Sequence, residues 1–197
     1  MDTRLLMISH ASTAAQRAGR FPADDPLDAR GLAEAHAYAA RTTPALGQGA
    51  AAYVSPAVCA RATAAALGLA ASVDVGLADM NYGKWHGRRL ADLAVEAPQD
   101  LAAWARDPDA APHGGESFSN LVKRVGEWLD ALHRAADPAS KHTRNVIAVT
   151  HAPVLRAAIV SALGASPVVF SRIEIAPLST IELRCSSRGW TWWPASQ

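Results

Sequence analysis

The stretch Arg4-Leu5-Leu6-Met7-Ile8-Ser9-His10-Ala11-Ser12-Thr13 decides how this chain is read. An apolar run that ends in small polar residues predicts a buried strand, and open α/β sheets bind ligands beyond the C-terminal ends of such strands. His10 is therefore the first candidate site residue. The pattern recurs in Asn145-Val146-Ile147-Ala148-Val149-Thr150-His151-Ala152-Pro153, again a strand that ends in a histidine and leads into a helical stretch. Two such strand ends are expected to place both imidazoles in one pocket.

At 197 residues, half of them apolar, the chain is long enough to bury a substantial core, and a single domain over 1–197 is expected. A formal net charge of +1 leaves no electrostatic footprint for nucleic acid, an acidic partner or an anionic membrane surface. No apolar run approaches the roughly 18 residues that cross a bilayer, and Met1-Asp2-Thr3-Arg4 opens a strand rather than a targeting segment. Two cysteines, Cys59 and Cys185, make no disulfide framework, so a cytoplasmic location is the expectation.

Outward from the first strand, residues 14–30 lack a period and read as a long loop over the pocket. Leu32, Ala35, His36 and Ala39 recur at helical spacing and predict a helix over 29–41, ended before Pro44; Gly47-Gln48-Gly49 then joins it to a strand over 51–54. Ser55-Pro56 reads as N-cap and first helical residue of the next helix, with Val58, Ala62, Ala65, Ala66 and Leu69 facing inward. After a brief strand over 72–75, residues 77–87 mix Gly, aromatic and ionisable types without a period, as binding loops do. Helices are expected over 90–97 and 99–106. The clearest amphipathic helix carries Leu121, Val125, Trp128, Leu129 and Leu132, with Glu116 capping its start and His133 solvated at its end. Another helix follows His151 and stops at Gly164, and extended pieces over 168–175, 179–184 and 190–193 close the chain, the last with Trp190, Trp192 and Trp193 as a packing edge. Strands alternating with helices, then antiparallel strands, indicate a three-layer α/β/α sandwich with a mostly parallel central sheet.

The chain resembles the histidine phosphatase superfamily, the phosphoglycerate mutase-like fold, over nearly its whole length. The resemblance rests on His10 with Thr13, Gly19-Arg20, Pro26-Leu27 with Gly31, Ser55-Pro56 with Thr63-Ala64, Gly83-Lys84-Trp85 with Gly87, Gly114-Gly115-Glu116-Ser117, and His151 followed by Arg156. It implies phosphomonoester hydrolysis through a phosphohistidine on His10, with His151 polarising a phosphoryl oxygen and Asp79, which shortens the family's loop glutamate, as proton donor. Asp79 has a second reading as a loop-capping carboxylate. It further implies a small phosphorylated or anionic molecule as partner and no cofactor.

Departures from the family pattern bear on activity. Where the family has arginine before the first histidine this chain has Ser9, the following glycine is Ala11, the expected helix arginine is Cys59, and the Glu after Trp85 is His86. Arg61, the nearest guanidinium, is displaced about 200° round the helix. Phosphoryl transfer draws most of its rate from positioned positive charge, so two lost charge-assisted contacts, each roughly 1.5 to 3 kcal/mol, cost on the order of 10² to 10⁴ in rate or affinity. Candidate substrate-binding residues are then Thr13, Arg17, Arg20, Cys59, Lys84, His86 and Arg156. Two alternatives stand beside the phosphatase: a catalytically inactive relative binding an anion or a protein in the same cleft, and a metal- or thiol-dependent enzyme using His10, His151 and Cys59.

Overall fold

The computed structural model describes residues 2–42, 49–135 and 143–193. Its centre is a six-stranded sheet in the order β3-β2-β4-β1-β5-β6. Four strands run parallel: β1 (Thr3–Ser9), β2 (Ala51–Val54), β3 (Ser72–Val73) and β4 (Arg144–Thr150). β5 (Thr180–Ser186) pairs antiparallel with β1, and β6 (Gly189–Trp193) pairs antiparallel with β5.

Strand side chains alternate between faces, and that alternation divides the core in two. From β1 and β4, Leu5, Met7, Val146 and Ala148 join one apolar cluster, under α6 (Phe118–Arg134) and α7 (Ala152–Ala162). Leu6, Ile8, Ile147 and Val149 join the other, with Ala60, Ala64 and the partly buried Tyr38 and Ala39 from the opposite helices α2 (Ala29–Thr42) and α3 (Val58–Ala66). Helices thus cover both faces of a mostly parallel sheet, the three-layer architecture expected. Because both faces are covered, β1 reads as a continuous apolar run.

The predicted stripe of α6 is buried in full, at Leu121, Val125, Trp128, Leu129 and Leu132. In the alanine-rich helices the inward faces differ from expectation. In α3 the buried residues are Cys59, Ala60, Thr63 and Ala64, and in α2 Ala35 is buried while Leu32 is 41% exposed, because alanine gives too weak a contrast to orient a helix. Val168 to Ile175 is not a strand. Ser166 accepts a hydrogen bond from the Val168 amide, Pro167 follows, and Pro167–Arg172 forms a 3-10 helix that seats Phe170 against Phe118, ring centroids 4.4 Å apart. Within the segment read as loop, Thr13 and Gln16 form a reciprocal capping box that starts a short helix, α1 (Ala14–Arg17). α4 (Leu90–Glu96) and α5 (Pro98–Arg106) follow the binding loop. Pro44 and Gly47-Gln48 lie outside the described residues.

Candidate active site

In the parallel register Ser9 is paired with Thr150, so the next residues, His10 and His151, leave adjacent strands side by side. The His10 amide continues the ladder by donating to the Thr150 carbonyl at 2.8 Å, and the Ser55 amide does the same to Val149 at 3.0 Å. Three strand ends thereby converge. The imidazoles of His10 and His151 meet edge to face with centroids 5.0 Å apart, and both are buried.

Each ring is oriented by a specific partner. His10 Nδ1 lies 2.8 Å from the Ala11 carbonyl. A carbonyl only accepts, so Nδ1 carries the proton and Nε2 keeps its lone pair. The turn is held in turn by α3: the Ala11 amide donates to Thr63 Oγ1 at 3.1 Å, and the Thr63 hydroxyl donates to the Cys59 carbonyl at 2.8 Å. His151 Nε2 lies 2.8 Å from Ser55 Oγ, which also accepts from the Ala57 amide. Its Nδ1 is buried without a hydrogen bond, 3.3 Å from Asp79 Oδ2. Ser55 is thus committed to His151 and does not cap α3. That cap is supplied from a distant loop: Asp24 Oδ1 accepts from the Val58 amide at 2.8 Å.

Burial sets the protonation states. It lowers His10 to about 4, helped by the neighbouring His151, and lowers His151 to about 3, with Arg124 adding to the effect. Both imidazoles are neutral near pH 7. Burial raises Asp79 to about 6 even though the Met80 amide, donating to Oδ1 at 2.8 Å, favours the carboxylate. It also pushes the Cys59 thiol up to about 12, with the charge of Asp79 contributing.

Asp79 is held by Arg124 of α6. That guanidinium donates to the carbonyls of Gly76, Ala78 and Asp79 at 2.9, 3.1 and 3.2 Å and forks onto both oxygens of Glu116. Glu116 therefore does not cap α6; Ser117 does, accepting from the Asn120 amide.

A cavity of about 540 Å³ opens over these groups. Of the residues singled out in the sequence, His10, Thr13, Arg20, Cys59, Asp79, His86 and His151 line it. Thr13 is committed through its hydroxyl to the Gln16 amide, and Arg20 is paired with Asp25 at 2.9 Å. Arg17, Lys84 and Arg156 are not among the lining residues. Arg17 donates to Ser12 and pairs with Asp28. Lys84 faces Asp100 at 3.9 Å, and Arg156 lies over the Phe170 ring and 3.8 Å from Glu174. Among the described residues, the lining carboxyls Asp24, Asp25 and Asp79 outnumber the lining guanidinium of Arg20. Gln16 and Tyr82 also line the cavity; neither is a candidate by itself in the sequence, though both lie in the segments, 14–30 and 77–87, read as loops at the pocket. The Thr13-x-x-Gln16 spacing is the signal that would have found Gln16, and the aromatic content of residues 77–87 is the signal for Tyr82.

A mostly parallel α/β sheet thus presents two neutral imidazoles and a carboxyl side by side at its C-terminal edge. The chain belongs to the histidine phosphatase superfamily (branch 1), whose sequence profile matches residues 5–193. It is 30% identical over 191 residues to the Bifunctional protein Rv2228c of Mycobacterium tuberculosis, an alignment covering 91% of this chain and 50% of that protein. The chain thus spans about half the length of that relative. A glucosyl-3-phosphoglycerate phosphatase of Mycolicibacterium vanbaalenii is 30% identical over 170 residues, 82% of this chain and 74% of that one. Among solved structures, the mycobacterial glucosyl-3-phosphoglycerate phosphatase Rv2419c superimposes with a TM-score of 0.85 at 25% identity, covering 100% of both chains. Among the described residues, no helix is long and apolar enough to cross a membrane.

Proposed function

We propose that this protein hydrolyses phosphomonoesters of small molecules through a phosphohistidine on His10, at a rate held down by the shortage of cations in its pocket. The observation that carries this reading is the hydrogen bond from His10 Nδ1 to Ala11, which leaves Nε2 as a neutral nucleophile beside His151. Nε2 forms a bond to phosphorus as the ester oxygen leaves, and Asp79 in its acid form gives that oxygen a proton. Water then attacks the phosphohistidine, Asp79 takes its proton, and inorganic phosphate departs. His151 supports the transferring oxygens from the adjacent strand end.

The lining charges set the rate. Arg20 is the lining guanidinium among the described residues, and Asp25 already engages it. Ser9 and Cys59 occupy the places of two expected arginines, so turnover is expected on the order of 10² to 10⁴ below that of a two-arginine pocket.

The test is turnover of p-nitrophenyl phosphate and a panel of phosphorylated metabolites, with a chelator present, by wild type, His10→Ala and Ser9→Arg/Cys59→Arg. Slow wild-type turnover that His10→Ala abolishes supports the reading, and its rate should fall above about pH 6 as Asp79 ionises and below about pH 4 as His10 protonates. Turnover unchanged in His10→Ala overturns it. The preponderance of carboxyls in the lining favours a second reading, a cleft that binds without turnover; no wild-type turnover, with activity appearing in the double arginine variant, would select it.

A further inference from the structure

Buried Cys59 completes, with the two histidines, a constellation that phosphoryl transfer does not require. His10, Cys59 and His151 each place one ligating atom within 4.8 Å of those of the other two. We propose that they form a binding site for a divalent metal ion of the zinc class.

The donor set is the first argument. Two imidazole nitrogens and one thiolate, with a fourth position open to a cavity, match the three-ligand zinc sites that retain a water or substrate. Tetrahedral ligation at ordinary zinc bond lengths needs about 3.4 to 3.6 Å between donor atoms. Small side-chain rotations close the difference, since all three residues sit at the ends of rigid elements around one point.

The second argument is the state of each nitrogen. Metal-ligating histidines generally commit the other ring nitrogen to a carbonyl, hydroxyl or carboxylate, which fixes the tautomer. His10 does so through Nδ1 to the Ala11 carbonyl at 2.8 Å, and His151 Nε2 lies 2.8 Å from the Ser55 hydroxyl, which can accept its proton and so allows the tautomer with Nδ1 unprotonated. The nitrogen left on His151, Nδ1, is buried with no hydrogen-bond partner on a side chain only 3% exposed. An orphaned buried nitrogen carries a desolvation cost of about 1 to 3 kcal/mol, and a metal ion removes it. The position of Cys59, where the family pattern has arginine, also supplies a soft ligand in place of a fixed cation.

The lining charge is the third. Asp24, Asp25 and Asp79 line the cavity, with Arg20 engaged by Asp25, and a dication suits that field. On ligation the Cys59 S–H bond breaks, sulfur bonds to the metal, and the proton leaves to solvent. The His10 Nε2 lone pair then serves the metal and is withdrawn from phosphorus. The metal site and the phosphatase reading draw on the same His10 lone pair, so they describe the metal-loaded and the metal-free protein, and the test of the site uses no turnover.

The metal-free chain is titrated with cobalt(II). The expected result is one equivalent bound, with a thiolate-to-cobalt charge-transfer band and the intense visible bands of a four-coordinate ion, both displaced by zinc(II). Cys59→Ser should abolish the charge-transfer band. Ser55→Ala, which releases the His151 ring, should weaken cobalt binding by about 10- to 100-fold. Cys185→Ser should change neither, and it is the necessary control because Cys185 Sγ lies 3.2 Å from His133 Nδ1. Absence of the band in wild type, or its persistence in Cys59→Ser, overturns the proposal. Should Cys59→Ser fail to fold, X-ray absorption of zinc-loaded wild type decides: one sulfur and two imidazoles support the site, and a shell without sulfur overturns it.

Discussion

Asp79 sets stability against its proposed role as proton donor. Its carboxyl is raised from 3.8 to about 6 by burial, so the folded state holds its proton more tightly than the unfolded state. Stability therefore falls as pH rises through that window, and the cost is complete above about 6 and absent below 3.8. The size is on the order of 3 kcal/mol. Asp79→Asn keeps an oxygen for the Met80 amide and never ionises, so denaturant unfolding of the metal-free protein should find it more stable than wild type at neutral pH and no more stable in acid. The histidines are lowered in the folded state and destabilise it as pH falls below 6.5; below 3.8 Asp79 is protonated, so there both proteins hold a neutral side chain beside His10 and are compared like for like. An equal effect at both pH values would show that Asp79 is not held in this way.

At the scale of elements, the site depends on how α6 grips the loop before α4. Arg124 satisfies the carbonyls of Gly76, Ala78 and Asp79 together with both oxygens of Glu116, which the planar guanidinium can do and an ammonium cannot. Arg124→Lys should destabilise the protein by about 2 to 4 kcal/mol, measured as a lowered denaturant midpoint, by stranding those acceptors. A loss below about 0.5 kcal/mol would show the clamp to be a solvated surface contact. The same loop closes on the turn before α6 at Gly115, where a Cβ would stand 2.0 Å from the Asn81 carbonyl oxygen. The element types were legible where apolar contrast is strong, in β1, β4 and α6. They were illegible where alanine blurs the period, as in α3, and at residues 168–175, where Ser166-Pro167 sets a 3-10 turn in a run that otherwise looks extended.

For the whole molecule, the sheet order predicts where stability lies. β1 is flanked by β4 and β5, and β4 by β1 and β2, with Leu5, Met7, Ile8, Ala148 and Val149 at 0% exposure. The two edges differ: both residues of β3 are exposed, and β6 leaves Trp192 and Trp193 at 48% and 44% exposure. Native-state amide exchange should be slowest in β1 and β4 and fastest in β3 and β6. Slowest exchange at an edge strand would contradict this distribution of the core.

The sequence by itself determined the layers and the anchors, because a strand buried on both faces needs an unbroken apolar run and a histidine at its end marks the ligand edge. His10 and His151 were legible for that reason, and Cys59 could be placed near them. Only the tertiary structure decided the electrostatics of the site. Whether a lysine or arginine faces a pocket depends on which carboxylate claims it: Asp28 takes Arg17, Asp25 takes Arg20, and Asp100 and Glu174 face Lys84 and Arg156. Likewise Ser55 binds His151 and Asp24 caps α3 through contacts across 96 and 34 residues of chain. Such pairings are set by the packing of distant segments, and no local spacing in the sequence encodes them.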